Sequence, residues 1–276
     1  MQLAAVTALY DLGPRPDGRG LDRYRAWLDA TLRLPMAFTV FLDPALPAPA
    51  LKPGDRLLRL PIEDFAPFAW RERVGAIIAR HPERTDIAYR QPGHGLLMFS
   101  KFDMLARAAA EGGAEGLVWL DAGLMRFFAG DPAEARLAPE AVARLAGADL
   151  AVAITPRLGA ALRHGRLPRE LVGSAKRLVS GGDIFVRAER AEAIARAIFA
   201  FVEEEWLARG LWDNEQVALG CILAKGLPRT EIVAVSKEYA VLAEALFPGL
   251  RRAEFPRPGL AARLFRALHY AREQRL

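Results

Sequence analysis

Gly116-Leu117-Val118-Trp119-Leu120-Asp121-Ala122-Gly123 joins five uncharged residues to an acid and a turn signal. An unbroken apolar run of this length predicts a strand buried on both faces, the pattern of a parallel sheet covered by helices. Asp121 then falls just past the strand's carboxyl end, where open α/β sheets bind their ligands.

Working outward, Phe102 to Glu111 reads as a helix stopped by Gly112-Gly113; Lys101 precedes it, either to meet a phosphate or sugar or solvated beside Ser100 as the helix N-cap. Leu3 to Leu9, Met36 to Leu42, Arg56 to Leu60 and Leu150 to Ile154 read as further strands. Helices are predicted around Leu21 to Leu32, Pro67 to Arg80, Pro139 to Leu145 and Ile194 to Val202. Another begins at Asp213, and Ile232 to Val235 returns to the sheet. Strands alternating with helices give an α/β domain over residues 1–258, with a mostly parallel central sheet and a mixed region in its second half. Residues 259–276 form a separate amphipathic helix: Leu260, Leu264 and Leu268 share a face, and Arg263, Arg266, Arg272 and Arg275 supply charge. That helix either packs on the domain or rests on an anionic inner-membrane leaflet.

The chain has 276 residues, 52% of them hydrophobic, enough to bury a sizeable core. Its net charge of +5 suits an anionic ligand, and the arginines are scattered rather than gathered into a nucleic-acid patch, so no nucleic-acid partner is expected. Cys221 stands alone, which excludes an internal disulfide framework and a cysteine-rich zinc site. The first residues carry no basic leader, and no run approaches the roughly 20 apolar residues of a membrane span, so the expected location is the cytoplasm.

Several residues carry chemistry. Asp121 can accept ribose hydroxyls or hold Mn²⁺ or Mg²⁺ against a diphosphate, or it can simply cap a turn. Gly181-Gly182, followed by Asp183, lets backbone approach a donor or acceptor sugar, although a two-residue hairpin accounts for the same glycines. Asp213 and Gln216 form a capping box at a helix start, with Glu215 between them. Arg15 and Arg19, in the loop after the first strand, are candidates for phosphate contacts. His81, His94 and His164 lack metal-ligand spacing, and His269 stands alone on the last helix.

Four ordered segments, VTALYDLG at 6–13, SKFDMLARAA at 100–109, VWLDAGLMRF at 118–127 and DNEQVAL at 213–219, resemble the signature of the bacterial HtrL/YibB family. That family is grouped with GT-A-like glycosyltransferases, so the resemblance implies a GT-A-like domain and a nucleotide-diphosphate sugar as ligand. It also implies a divalent cation, Mn²⁺ or Mg²⁺, at a DxD motif, and a glycan or glycolipid acceptor in cell-envelope polysaccharide assembly. Carried over residue by residue, it gives Tyr10 and Asp11 to the nucleobase and Lys101 to phosphate or sugar. Asp121 goes to the donor and metal, while Asp213 and Glu215 lie beneath the transferred sugar as orienting groups or base. The sequence departs from the motif at Gly123, where the second acid of DxD would stand. Nucleotidyl transfer, nucleotide-sugar hydrolysis and non-catalytic nucleotide-sugar or glycan binding remain open at this point.

Overall fold

The computed structural model describes residues 1–13, 20–84, 87–164, 178–226 and 229–253. In chain order the regular elements are β1 Leu3–Leu9, α1 Leu21–Thr31, β2 Ala37–Leu42, β3 Arg56–Arg59, α2 Arg71–Ile78, α3 Ile87–Arg90 and α4 Pro92–Ala110. They continue with β4 Gly116–Leu120, β5 Phe128–Ala129, α5 Pro139–Leu145, β6 Leu150–Ile154, α6 Pro156–His164, β7 Asp183–Arg187 and α7 Ala191–Phe201. The last are α8 Glu215–Lys225, β8 Thr230–Val235, α9 Val241–Leu246 and β9 Arg251–Arg252. The proposed C-terminal helix, residues 259–276, and the candidate phosphate contacts Arg15 and Arg19 lie outside the described residues.

Seven strands form the main sheet in the order β3-β2-β1-β4-β7-β6-β8. Neighbours run parallel except at β7, which is antiparallel to both β4 and β6. The sheet is therefore mostly parallel, with its mixed region in the second half. All five residues of β4 and all five of β6 are buried, as expected for strands covered on both faces. On one face α4, α7 and α8 enclose Phe99, Phe102, Trp206 and Trp212, and on the other α1, α5 and α9 enclose Leu28, Phe38, Phe185 and Phe247. Each such side chain contributes about 1.5–3 kcal/mol by leaving water, which is why the two apolar layers dominate the stability of the sheet.

Three local expectations change. Helix α4 starts at Pro92 rather than near Phe102, so Ser100 and Lys101 lie in its interior. Ser100 does not cap it: its hydroxyl donates back to the Leu96 carbonyl at 2.9 Å. Proline suits the first helical turn, and Gly95 lets the early turns close on Trp212, whose ring would stand 3.0 Å from an added methyl.

The N-cap of α8 is Asn214, not Asp213: its side chain accepts the Gln216 and Val217 N–H groups, both at 3.1 Å. Asp213 instead accepts the Asn214 N–H at 2.7 Å, so the expected Asp213–Gln216 capping box does not form.

Gly181-Gly182 is also not a hairpin turn. Residues 178–180 and β7 both run antiparallel to the segment 150–155, through Thr155 N–H to Leu178 O, the Ile154–Val179 bridge and the Ala151–Phe185 pair. The two glycines therefore interrupt one continuous strand path and shift its register, as a bulge does.

Candidate functional site

The chain moves from β1 outward to β2 and β3, then returns to place β4 on the other side of β1. This reversal opens a crevice beyond the carboxyl ends of β1 and β4, the switch point of an open α/β sheet. A cleft of about 400 Å³ occupies it, lined by Tyr10 and Asp11 after β1, Asp121 after β4, Gly181-Gly182, and Glu215 at the start of α8. Residues from three of the four family-like segments, together with the Gly-Gly pair, thus converge on one concavity.

Among the described residues, two of the three carboxylates that line it, Asp121 and Glu215, are held in the same manner. Asp121 accepts the Trp119 indole N–H on Oδ1 at 2.7 Å, and its Oδ2 lies beside Gly182. Glu215 is 2% exposed; its Oε1 meets the Lys101 ammonium at 2.9 Å, whereas its Oε2 is buried with no hydrogen-bond partner among the described residues. Each carboxylate has one oxygen committed to orientation, and Glu215 retains acceptor capacity that a bound hydroxyl would satisfy.

Lys101 is fully buried and lies behind the wall rather than on it. Besides Glu215 it donates to the Gly181 carbonyl at 2.6 Å, and its ammonium stands 5.7 Å from the Trp119 ring centre. Its charge is spent on Glu215, so the lysine positions the acid and the glycine backbone. The glycines are required by close approach: a side chain on Gly181 would run into Glu215 Oε1, and one on Gly182 would begin 3.2 Å from Asp121 Oδ2. Gly182 is also tied to β4, its carbonyl accepting the Asp121 N–H at 2.9 Å.

Other expected site residues sit differently. Tyr10 reaches the cleft with little of its surface, being 6% exposed, and its hydroxyl donates to Leu60 O at 3.0 Å while the ring packs edge-on against Phe65. Burial, then the nearby Asp43 charge, holds its phenol well above the usual range. Asp11 is exposed and accepts the Gly13 N–H on Oδ1 at 2.9 Å, an Asx turn that shapes the loop.

Asp183 is fully buried and does not line the cleft. Its oxygens accept the Ser180 hydroxyl at 2.7 Å and the Ala243 N–H at 3.0 Å, so it serves the first turn of α9. Burial raises its carboxyl to about 6, against the opposing pull of Ser180 and the α9 amides. Asp213 is likewise buried behind the wall. Burial, reinforced by the Asp213 charge, pushes the Cys221 thiol up to about 11, which makes that cysteine a packing residue at neutral pH.

Sequence reasoning passed over Arg90 and Arg126 on the cleft wall, and the stacked rings of Phe127 and Tyr239, 5.3 Å apart and 9° from parallel, at its margin; His94, set aside as a metal ligand, lines the same wall. Arg126 was within reach, since it lies in the same family-like segment, 118–127, as Asp121.

The donor set does not make a ready cation cage. Asp121 has one oxygen on Trp119, Gly123 brings no acid, and no group of three His, Cys, Asp or Glu side chains converges among the described residues. No protein-family model and no curated protein matches the chain.

Proposed function

We propose that this chain is a glycosyltransferase that moves a sugar from a nucleotide-diphosphate donor to a hydroxyl of a glycan or glycolipid. The observation carrying the reading is the convergence of Tyr10, Asp11, Asp121, Gly181, Gly182 and Glu215 on one cleft at the switch point of the sheet. The ordered segments resembling the HtrL/YibB family support a GT-A-like assignment and a setting in cell-envelope polysaccharide assembly, at the cytoplasmic side of the inner membrane. Among the described residues no helix is long and apolar enough to cross a membrane.

In this reading the nucleoside lies against the end of β1, near Tyr10 and Asp11, and Asp121 accepts a ribose hydroxyl. The glycine backbone at 181–182 admits the sugar closely. Glu215 Oε2 accepts a sugar hydroxyl, and in an inverting transfer it takes the acceptor's proton as the hydroxyl oxygen bonds to the anomeric carbon. The bond from that carbon to the diphosphate breaks, and its electron pair leaves on the diphosphate. A Mn²⁺ or Mg²⁺ requirement is the component of the GT-A expectation that the donor set supports least, and no step here passes through a metal.

The test is a panel of nucleotide-sugars measured by thermal shift, followed by product analysis with glycan and glycolipid acceptors. A ligand that binds only the folded state raises its midpoint by mass action, about 2.7 kcal/mol at a hundred times Kd. Asp121→Asn is expected to abolish that shift and turnover while changing unliganded stability by under about 0.5 kcal/mol. A panel without stabilisation, or an Asn variant that turns over normally, removes the proposal. Stabilisation without any transferred sugar assigns the cleft to a non-catalytic binding protein.

A further inference from the structure

The cleft sets acids facing a ligand that, in the donor reading, is itself anionic. Glu215 is neutralised by Lys101, but Asp121 and Asp11 have no ion-pair partner among the described residues. The first amides of α8, otherwise a natural anion seat, are not available for one, because Asn214 already takes the Gln216 and Val217 N–H groups. Positive charge on the cleft must come from elsewhere.

Among the described residues that line it, the permanently charged cations are Arg90 and Arg126. Arg90 is exposed at the rim, whereas Arg126 is partly buried, its guanidinium lying over the Phe127 ring at 4.4 Å from the centre. No carboxylate pairs with it among the described residues. Its location is specific. A methyl group built on Gly123 would stand 2.9 Å from an Arg126 Nη atom and 3.2 Å from the Tyr24 ring. The place of the second acid in a DxD motif is therefore filled by a guanidinium, on the same turn as Asp121.

We propose that Arg126 holds the donor's diphosphate in place of a divalent cation, so that this cleft binds nucleoside diphosphates without metal. A guanidinium offers paired N–H donors that match two phosphate oxygens, and its charge does not titrate. Its charge also balances the electron pair that the diphosphate carries away. Gly123 then has a reason: an acid there would clash with the arginine or pair with it and cancel its charge. The inference rests on the nucleotide-donor reading of the same cleft.

The experiment is calorimetric titration of the full chain with the five common nucleoside diphosphates and the matching nucleosides, in EDTA and in Mn²⁺. Wild type is compared with Arg126→Gln and Arg126→Lys. At least one diphosphate is expected to bind in EDTA, with Mn²⁺ making little difference. Loss of a charge-assisted hydrogen-bonded pair predicts roughly 10- to 100-fold weaker diphosphate binding in Arg126→Gln, with Arg126→Lys between the two and nucleoside binding unchanged. Diphosphate binding that requires Mn²⁺ overturns the inference and leaves the donor reading standing. So does binding in EDTA that neither variant weakens. No diphosphate binding in either condition overturns the donor reading and this inference with it. If Arg126→Gln does not fold, the metal dependence of wild type and the lysine variant still decide.

Discussion

The two ends of the main sheet both gather charge, but they use it differently. At the end opposite the cleft, Asp149 precedes β6 and faces Arg187, Arg190 and Arg229 at 3.6–3.7 Å. Two of those arginines also spend donors on backbone carbonyls: Arg187 on Ala146 and Ala148, Arg229 on Gly147. Their hydrogen-bonding capacity serves to fasten the loop before β6 to the strands beside it. At the cleft end, among the described residues, Glu215 keeps an unsatisfied buried oxygen and Arg126 keeps a guanidinium without an acid. Asp149 Oδ1 also lacks a hydrogen bond, so the difference lies in the arginines: at the far end three of them surround an acid, whereas at the cleft end one faces the cavity with no acid among the described residues.

The largest effect should come from breaking the fully buried Lys101–Glu215 ion pair. Lys101→Met leaves Glu215 buried without its cation and is expected to cost about 3–5 kcal/mol in urea unfolding. A loss below about 1 kcal/mol would mean that water reaches Glu215 and that the cleft wall is looser than described.

The next effect depends on pH. Asp183 holds a proton in the folded state up to about 6, whereas in the unfolded chain it ionises near 3.8. The folded state thus binds more protons across that interval, so this group's contribution falls as pH rises from about 4 to about 6 and is constant above it. The size is on the order of 3 kcal/mol, at 1.36 kcal/mol per unit. Denaturation of wild type and Asp183→Asn across pH 4–7 should show that slope in wild type and its absence in the variant; parallel curves would refute it.

The smallest effect tests the far end. Asp149→Asn is expected to cost about 1–2 kcal/mol, because the acid is buried but Arg190 and Arg229 are half-exposed and screened. Diphosphate binding should not change, and a loss of binding there would dissolve the distinction between the two ends.

The sheet was largely readable from the chain because strands buried on both faces leave unbroken apolar runs. Leu3–Leu9, Gly116–Leu120 and Leu150–Ile154 fall where the pattern places them. Helix α4 was cut short in the sequence reading, since Pro92, Gly93 and Gly95 lower local propensity and only packing against Trp212 restores the early turns. Lys101 was misplaced for a related reason. A lysine signals a solvated surface unless its partner is known, and Glu215 lies 114 residues away. Asp183 illustrates the converse, because its hydrogen-bonding partner on α9 is 60 residues downstream. The position of Asp121 on the cleft was readable because it follows directly from lying past the end of a buried strand.

The Lys101 ammonium ties the middle of α4 to Gly181 and to the first turn of α8, while Gly182 is bound to β4. A wall knotted from residues so far apart cannot form by local folding, since the loops between them must close before any of its bonds is made. Its opening is correspondingly tied to that of the whole domain. The Asp121 amide, donating to Gly182, should exchange its hydrogen for deuterium only through global unfolding, and the early amides of α8 should follow the same slow isotherm. A binding site is commonly drawn from the least stable parts of a protein; the rear wall of this cleft is expected among the last parts to let go.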